Sequence, residues 1–385
     1  MGIAGWLKRV APAESAFLVG GATTAAFYGF PEFLPGDVEA NAKTAVLFVW
    51  LFATMLWCAF GVVRHAESLA DLLGEPYGTL IETVSVISIE VSLIASIMLL
   101  GENEPTLARD TMFAVLMIVL NGAVGLALLL GALRHREQHY NLEGAKAYLA
   151  VIIPLAGLTL VLPTFTRSTA LPVFTPLQAM FFAASTIVLY GVFLLIQTVR
   201  HARHFVEPGE PGRAAGTSKP LDHDESGRER GRRELRSIPY HAAFLFLTLL
   251  PVILLSKKLA AFVDHMIETL GAPVALGGMI IALLVLSPEG LGALRAAMRN
   301  ELQRAVNILL GLALATIGLI VPAVLVIGFA TGMTVELGLG RVEMVLLVLT
   351  LTVCALTFSG GRTNVLQGAV HLTLFLSYVV LIFNP

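Results

Sequence analysis

Long unbroken apolar runs separated by short polar segments pattern almost the whole chain. They lie near 15–31, 44–63, 78–100, 110–133, 147–164, 173–198, 239–260, 272–294, 305–330, 342–359 and 363–383. A helix rises ~1.5 Å per residue, so roughly 20 residues cross ~30 Å of hydrocarbon. By that measure the pattern predicts about 11 transmembrane helices. A membrane barrel needs short strands that alternate apolar and polar positions, and stretches such as FFAASTIVLYGVFLLI do not alternate. The expected fold is an all-α polytopic membrane protein. One long polar segment, 199–238, interrupts the series; it is rich in Arg, Glu, Asp, Gly and Pro and poor in aliphatics, which reads as a soluble linker.

Composition agrees with a lipid solvent: 56% of the 385 residues are hydrophobic and 14% charged, more apolar surface than one water-soluble core absorbs. The distribution of basic residues sets an orientation. Loops taken alternately from an inside amino terminus hold 19 of the 25 Lys and Arg inside and 6 outside, the bias expected of an N-inside, C-outside inner-membrane protein. The linker carries nine of them and is placed in the cytoplasm. Lys8 and Arg9 ahead of a short apolar stretch also fit a cleaved signal, but a retained first span is the preferred reading. The net charge of −2 and scattered basic loops point to no nucleic-acid partner; membrane lipid, cations and protons are the expected partners, with the oligomeric state open. Cys58 and Cys354 fall in separate spans and read as small packing residues. His201, His204 and His223 with Asp222 and Asp224 read as solvated linker, a metal-sensing tract being the alternative.

The linker divides the spans into one, five and five, and the two groups of five share a pattern. Val86–Glu90 reads VISIE in the third span and Val285–Glu289 reads VLSPE in the eighth. Each span follows a Gly-x-Pro, at Gly74 and Gly271, and precedes an Arg-led span, from Arg109 and Arg304. Five spans apart, the two segments cross in opposite directions, the trace of two inverted five-helix repeats. The expected units are 1–43 with the first helix, 44–198, the linker 199–238, and 239–385.

The shared residue is a glutamate, and a charge near the centre of a span costs roughly 2.5–3.5 kcal/mol. Glu90 and Glu289 are therefore the principal candidate cation and proton ligands. Burial disfavours a bare carboxylate, so each holds a proton until a cation displaces it. Two carboxylates match one divalent cation against two protons, or monovalent cations one for one. Calcium takes about 6–8 oxygens, more than the pair supplies. Ser88 and Ser287, the carbonyls of an expected break at Pro288-Glu289-Gly290, and more weakly Asn121 and Thr316, are candidate further donors. The serines qualify only with local unwinding, because residues two apart do not share a helix face. Glu82, eight residues before Glu90 on the same ridge, is a weaker candidate relay, and hydration at the interface explains it as well. His371 reads as a packed imidazole. Glu102, Glu104, Asp110 and Glu268 fit either an outer acidic vestibule or a solvated surface. No resident cofactor is expected, only transported Ca2+, Na+ or K+, and H+.

The passages VRHAESLADLLGEPYGTL, SIEVSL, YGVFLLIQT, LSPEGLGALRAAMRNELQRAVN and SGGRTNVLQGAVHL resemble the calcium/cation antiporter superfamily, and within it the ChaA-type sodium or calcium/proton antiporters. The likeness runs from about residue 44 to the end, with LSPEGLGAL its most specific element. It implies a first peripheral helix, two inverted five-helix halves, and a central site in which Glu90 and Glu289 match the transport glutamates. The better-known calcium exchangers carry G-N-x-x-E, where this chain has Val86-Ile87 and Val285-Leu286. Both asparagine oxygens are missing, which leaves sodium and potassium beside calcium. A channel and an intramembrane enzyme are the alternatives. A pore shows a repeated filter or rings of charge rather than one pair of acids. An enzyme is not expected, because neither HExxH nor a Ser/His pair with an orienting group occurs, and SGGR at Ser359 reads as a tight turn.

Overall fold

A computed structural model describes residues 14–30, 42–74, 77–100, 105–169, 171–206, 237–273 and 275–384. Every apolar run is helical. In chain order the helices are α1 (Ser15–Gly29), α2 (Ala42–Leu73), α3 (Tyr77–Leu100), α4 (Leu107–His135), α5 (Leu142–Phe165), α6 (Pro176–Arg200), α7 (Ile238–Leu270), α8 (Ala275–Met298), α9 (Leu302–Thr331), α10 (Arg341–Thr357) and α11 (Val365–Phe383). Eight of them are long and apolar enough to cross a membrane: α2, α4, α5, α6, α7, α8, α9 and α11. α1 and α10, at 15 and 17 residues, are shorter, and α3 contributes the apolar stretch Thr83–Ala95. Lys8, Arg9, Glu102, Glu104 and most of the linker, including Asp222, His223 and Asp224, lie outside the described residues.

Local sequence sets the helix ends. Thr175 and Asn364 form reciprocal capping boxes with Gln178 and Gln367, and Asn141 accepts from the Glu143 N–H, satisfying donors that a helix start leaves open. Gly74 and Gly271 close α2 and α7 in the left-handed region, at φ 66° and 61°, where a Cβ is disfavoured. The two Gly-x-Pro segments thus end two helices of 32 and 33 residues. The helices that follow, α3 and α8, have 24 residues each.

α4 and α9, of 29 and 30 residues, are each interrupted midway by a π turn, at Ile118–Ala123 and Thr316–Ile320. In α9 the cause is Pro322, which has no N–H to give the Gly318 carbonyl, so the helix widens just before it.

The connections gather at two opposite ends. At one, a short antiparallel pair, β1 (Gln138–His139) with β2 (Arg362–Thr363), joins the α4–α5 and α10–α11 connections. There Gln138 donates to the Ala297 carbonyl at 2.8 Å, and Asn307 to that of Phe205 at 2.7 Å. Because Phe205 belongs to the segment entering the linker, this is the linker end. At the other end the Glu336 N–H donates to the Pro105 carbonyl at 2.9 Å, and Arg109 to that of Gly338 at 3.1 Å.

Small residues bring helices together where lipid provides no hydrophobic drive for association. α4 and α11 meet at Gly125 and Gly368, where a Cβ on Gly368 would lie 2.6 Å from the Leu129 nitrogen. Gly368→Val is expected to destabilise the fold by about 1–3 kcal/mol or more, because rigid backbone cannot yield to the added atoms. A lowered melting temperature in detergent checks this; an unchanged one contradicts the close crossing.

Candidate functional site

Glu90 lies midway along α3 and is fully buried, at 0% exposure. Across the helix interface Thr316, at the first position of the π turn in α9, donates its hydroxyl to Glu90 Oε2 at 3.3 Å. The second oxygen, Oε1, is buried and has no hydrogen-bond partner among the described residues. A buried carboxylate with an unused oxygen is unfavourable unless a proton or cation completes it. Glu289 on α8 is half-buried and close enough for its charge to act on Glu90. The two carboxylates found in the sequence, 199 positions apart, are thus brought within electrostatic reach of each other.

They differ in access. Glu289 lines a cavity of about 200 Å³ with Thr83 and Ile87 of α3, Tyr148 of α5, Tyr190 and Gln197 of α6, and Asn307 and Gly311 of α9. Asn307 bonds the Phe205 carbonyl, so this cavity approaches the pair from the linker end. Gln197 donates to the Tyr148 hydroxyl at 3.0 Å and Gln303 to Asn307 Oδ1 at 2.8 Å. Apart from Glu289, the cavity walls therefore carry oriented dipoles rather than charges. The sequence reading missed these neutral polar residues because they lack the rarity that marks an intramembrane acid.

Other expectations require correction. α8 runs unbroken from Ala275 to Met298 with Pro288 inside it, so the expected opening at Pro288-Glu289-Gly290 does not occur. A proline removes one donor, here that of the Leu284 carbonyl, and a packed membrane helix tolerates the loss. Ser88 and Ser287 do not turn toward the carboxylates. Each donates to its own helix, to the Val84 carbonyl at 2.6 Å and the Leu283 carbonyl at 2.5 Å. Without unwinding, residues two apart point roughly 200° away from each other round a helix.

Asn121, in the π turn of α4, is engaged elsewhere: Nδ2 donates to Thr350 Oγ1 at 2.8 Å, and Oδ1 lies 3.3 Å from His371 Nδ1. His371 is buried, with Nε2 3.0 Å from the Thr357 hydroxyl, a hydrogen-bonded imidazole linking α4, α10 and α11. Asp110 pairs with Arg109 at 2.8 Å, while the side chains of Glu82 and Glu268 lie outside the described residues. Cys58 is buried and gives its thiol to the Ala16 carbonyl at 3.3 Å; Cys354 is buried as well. Ser359 donates to the Leu356 carbonyl at 2.7 Å in the turn after α10.

Comparison with known proteins places this arrangement. The family model described as sodium/calcium exchanger protein matches residues 43–199 and 240–384. The sodium-potassium/proton antiporter ChaA of Escherichia coli (strain K12) is 45% identical over 353 residues, 91% of this chain and 92% of that protein. The Ca(2+)/H(+) antiporter of Aphanothece halophytica is 23% identical over 316 residues, 80% of this chain and 82% of that one. Among solved structures, native YfkE superposes with a TM-score of 0.70 at 19% identity, covering 96% of this chain and 99% of its own. The H+/Ca2+ exchanger CAX gives 0.64 at 13% identity, with 96% and 88% covered. These two share the fold.

Proposed function

Because the chain belongs to the sodium/calcium exchanger protein family, a family of transporters, we propose that it is a proton-coupled cation antiporter. Cation and protons compete for Glu90 and Glu289, and the two inverted halves rock to give alternating access. The carrying observation is the asymmetric pair: one carboxylate is sealed and held by Thr316 across the halves, and the other is open to a cavity from the linker end. The matched lengths of α2 and α7, of α3 and α8, and of α4 and α9 support the inverted repeat. The basic linker puts that end in the cytoplasm, so the cavity is the inward path.

Glu90, Glu289 and the Thr316 hydroxyl supply at most five protein oxygens. Calcium asks for about 6–8, and apolar side chains stand at Val86-Ile87 and Val285-Leu286. Sodium and potassium are the proposed principal substrates, in line with the name of the relative at 45% identity, with calcium a third candidate. When a cation enters, each displaced carboxyl proton leaves toward the same side. After reorientation and cation release, the carboxylates are reprotonated from the other side.

The test uses everted vesicles with an acidified lumen and a trapped pH dye, to which Na+, K+ and Ca2+ are added separately. Saturable, cation-dependent proton exit is expected with Na+ or K+. Cation current without proton movement would show a channel and overturn the reading. In the same assay Thr316→Val is expected to raise the KM for the cation about fivefold. One hydrogen bond to a charged group, here a long one, contributes about 1 kcal/mol. An unchanged KM removes Thr316 from the site.

A further inference from the structure

A second cluster of titratable groups lies away from the carboxylate pair, at the linker end, where α1, α2 and α7 meet. Glu14, just ahead of α1, and His65 on α2 are buried, at 3% and 1% exposure. Glu14 Oε2 accepts from Arg64 Nη2 at 2.8 Å and lies 2.9 Å from His65 Nε2. Glu14 Oε1 accepts from the Tyr240 hydroxyl on α7. On its other side, His65 Nδ1 faces His241 Nδ1, also on α7, at 3.1 Å. Phe244 stacks on the His65 ring, with centroids 5.9 Å apart.

The partners dictate where the protons sit. An ionised Glu14 only accepts, so His65 carries its hydrogen on Nε2 and presents a lone pair at Nδ1. His241 must then supply the single hydrogen between the two Nδ1 atoms. In this state Glu14 and Arg64 balance each other and both imidazoles are neutral; Arg64 Nη2 and His65 Nε2, two donors 3.2 Å apart, share the Glu14 Oε2 acceptor, and the Nδ1–Nδ1 contact is a donor against an acceptor. Protonation of both imidazoles sets N–H against N–H at 3.1 Å and adds two positive charges beside Arg64, against the Glu14 carboxylate. Such a buried excess is strongly unfavourable, and separation of the helices relieves it. Protons have a route in, because the Arg64 side chain is 34% exposed.

The two histidines stand on α2 and α7, which pack extensively against each other, one from each proposed half. We propose that the His65–His241 pair is a proton-binding site separate from the carboxylates, a switch that holds α2 against α7 at neutral pH and loosens that contact when the linker side turns acidic. Its transport consequence rests on the antiporter reading: the halves pivot on this contact, so its loosening slows reorientation rather than cation binding. Histidine is the side chain suited to such sensing near neutrality.

The experiment compares the full-length protein with His241→Gln and His65→Gln, which retain hydrogen-bonding capacity without titrating. In proteoliposomes the maximal rate of the parent protein is expected to fall by on the order of threefold between neutral and mildly acid pH on the linker side. Either glutamine variant should hold its maximal rate level while its KM changes with pH as in the parent. The same fall in both variants overturns the proposal. A second measurement does not depend on transport: amide hydrogen exchange of residues 58–68 and 238–248, in a Glu289→Gln background. Acid should speed exchange in these segments with both histidines present and leave it unchanged once His241 or His65 is glutamine. Acid-independent exchange with both histidines present refutes the switch. Absence of cation exchange in the parent protein would instead refute the antiporter reading.

Discussion

Glu289→Gln is expected to abolish cation-dependent proton movement while leaving a folded, membrane-inserted protein, and Glu90→Gln is expected to do the same. Glutamine keeps the shape and the polar contacts, so the Thr316 hydroxyl still has an oxygen to meet. What disappears is the charge that holds a cation and the group that carries a proton. Breaking a buried charge pairing costs about 3–5 kcal/mol, and each ~1.4 kcal/mol is tenfold, so the loss should exceed about a hundredfold. The two variants should differ in one respect. Glu289 faces the cavity and meets a cation from the linker side first, whereas Glu90 is sealed behind it. Binding of a cation from the linker side, measured by calorimetry, should therefore suffer more in Glu289→Gln. Normal exchange in either variant removes the pair from the mechanism.

Gly311→Trp is the second large effect. Gly311 lines the cavity, and the nearest atoms to a Cβ there would be those of the Tyr148 ring and hydroxyl, at 3.6 Å, an ordinary contact. Gly311→Ala should therefore transport at close to the parent rate, while an indole at the same place fills the path to Glu289. If entry then requires overpacking of about 1–3 kcal/mol, the rate falls about five- to a hundredfold. The measurements are initial rates with the cation on the linker side and melting temperatures for both variants. A tryptophan variant that is stable and transports normally would show that cations reach Glu289 by another route.

Much of the architecture was legible in the sequence because hydrocarbon imposes a rule on every residue separately. Each spanning stretch must be apolar and helical regardless of its neighbours, and all eleven apolar runs are helices, although α2 and α7 continue to Leu73 and Leu270, ten residues past the runs 44–63 and 239–260. Glu90 and Glu289 stood out for the same reason, since an acid in lipid is conspicuous without any knowledge of its partners. Gly74 and Gly271 were also visible as punctuation, and both adopt positive φ at helix ends.

The failures have a common cause. Ser88 and Ser287 lie two positions before the glutamates in sequence, yet an intact helix turns them away, and Pro288 did not break α8 because its surroundings hold the helix together. Thr316 and Asn121 occupy corresponding π turns, yet one hydroxyl reaches Glu90 while the other side chain is taken by Thr350 and His371. That difference depends on which helices flank each π turn. The cavity lined by Tyr148, Tyr190, Gln197 and Asn307 likewise depends on the approach of five helices, α3, α5, α6, α8 and α9. Glu14, His65 and His241 drew no notice because each alone is an ordinary residue near the end of an apolar run.

The sequence by itself determined the solvent, the helices and the rare acids, all of which follow from the free energy of single residues in lipid. Only the tertiary structure decided which oxygens share a site, which end opens to it, and that two imidazoles face each other across α2 and α7. Those outcomes are set by the rotation and crossing of helices, which depend on contacts between residues distant in the chain.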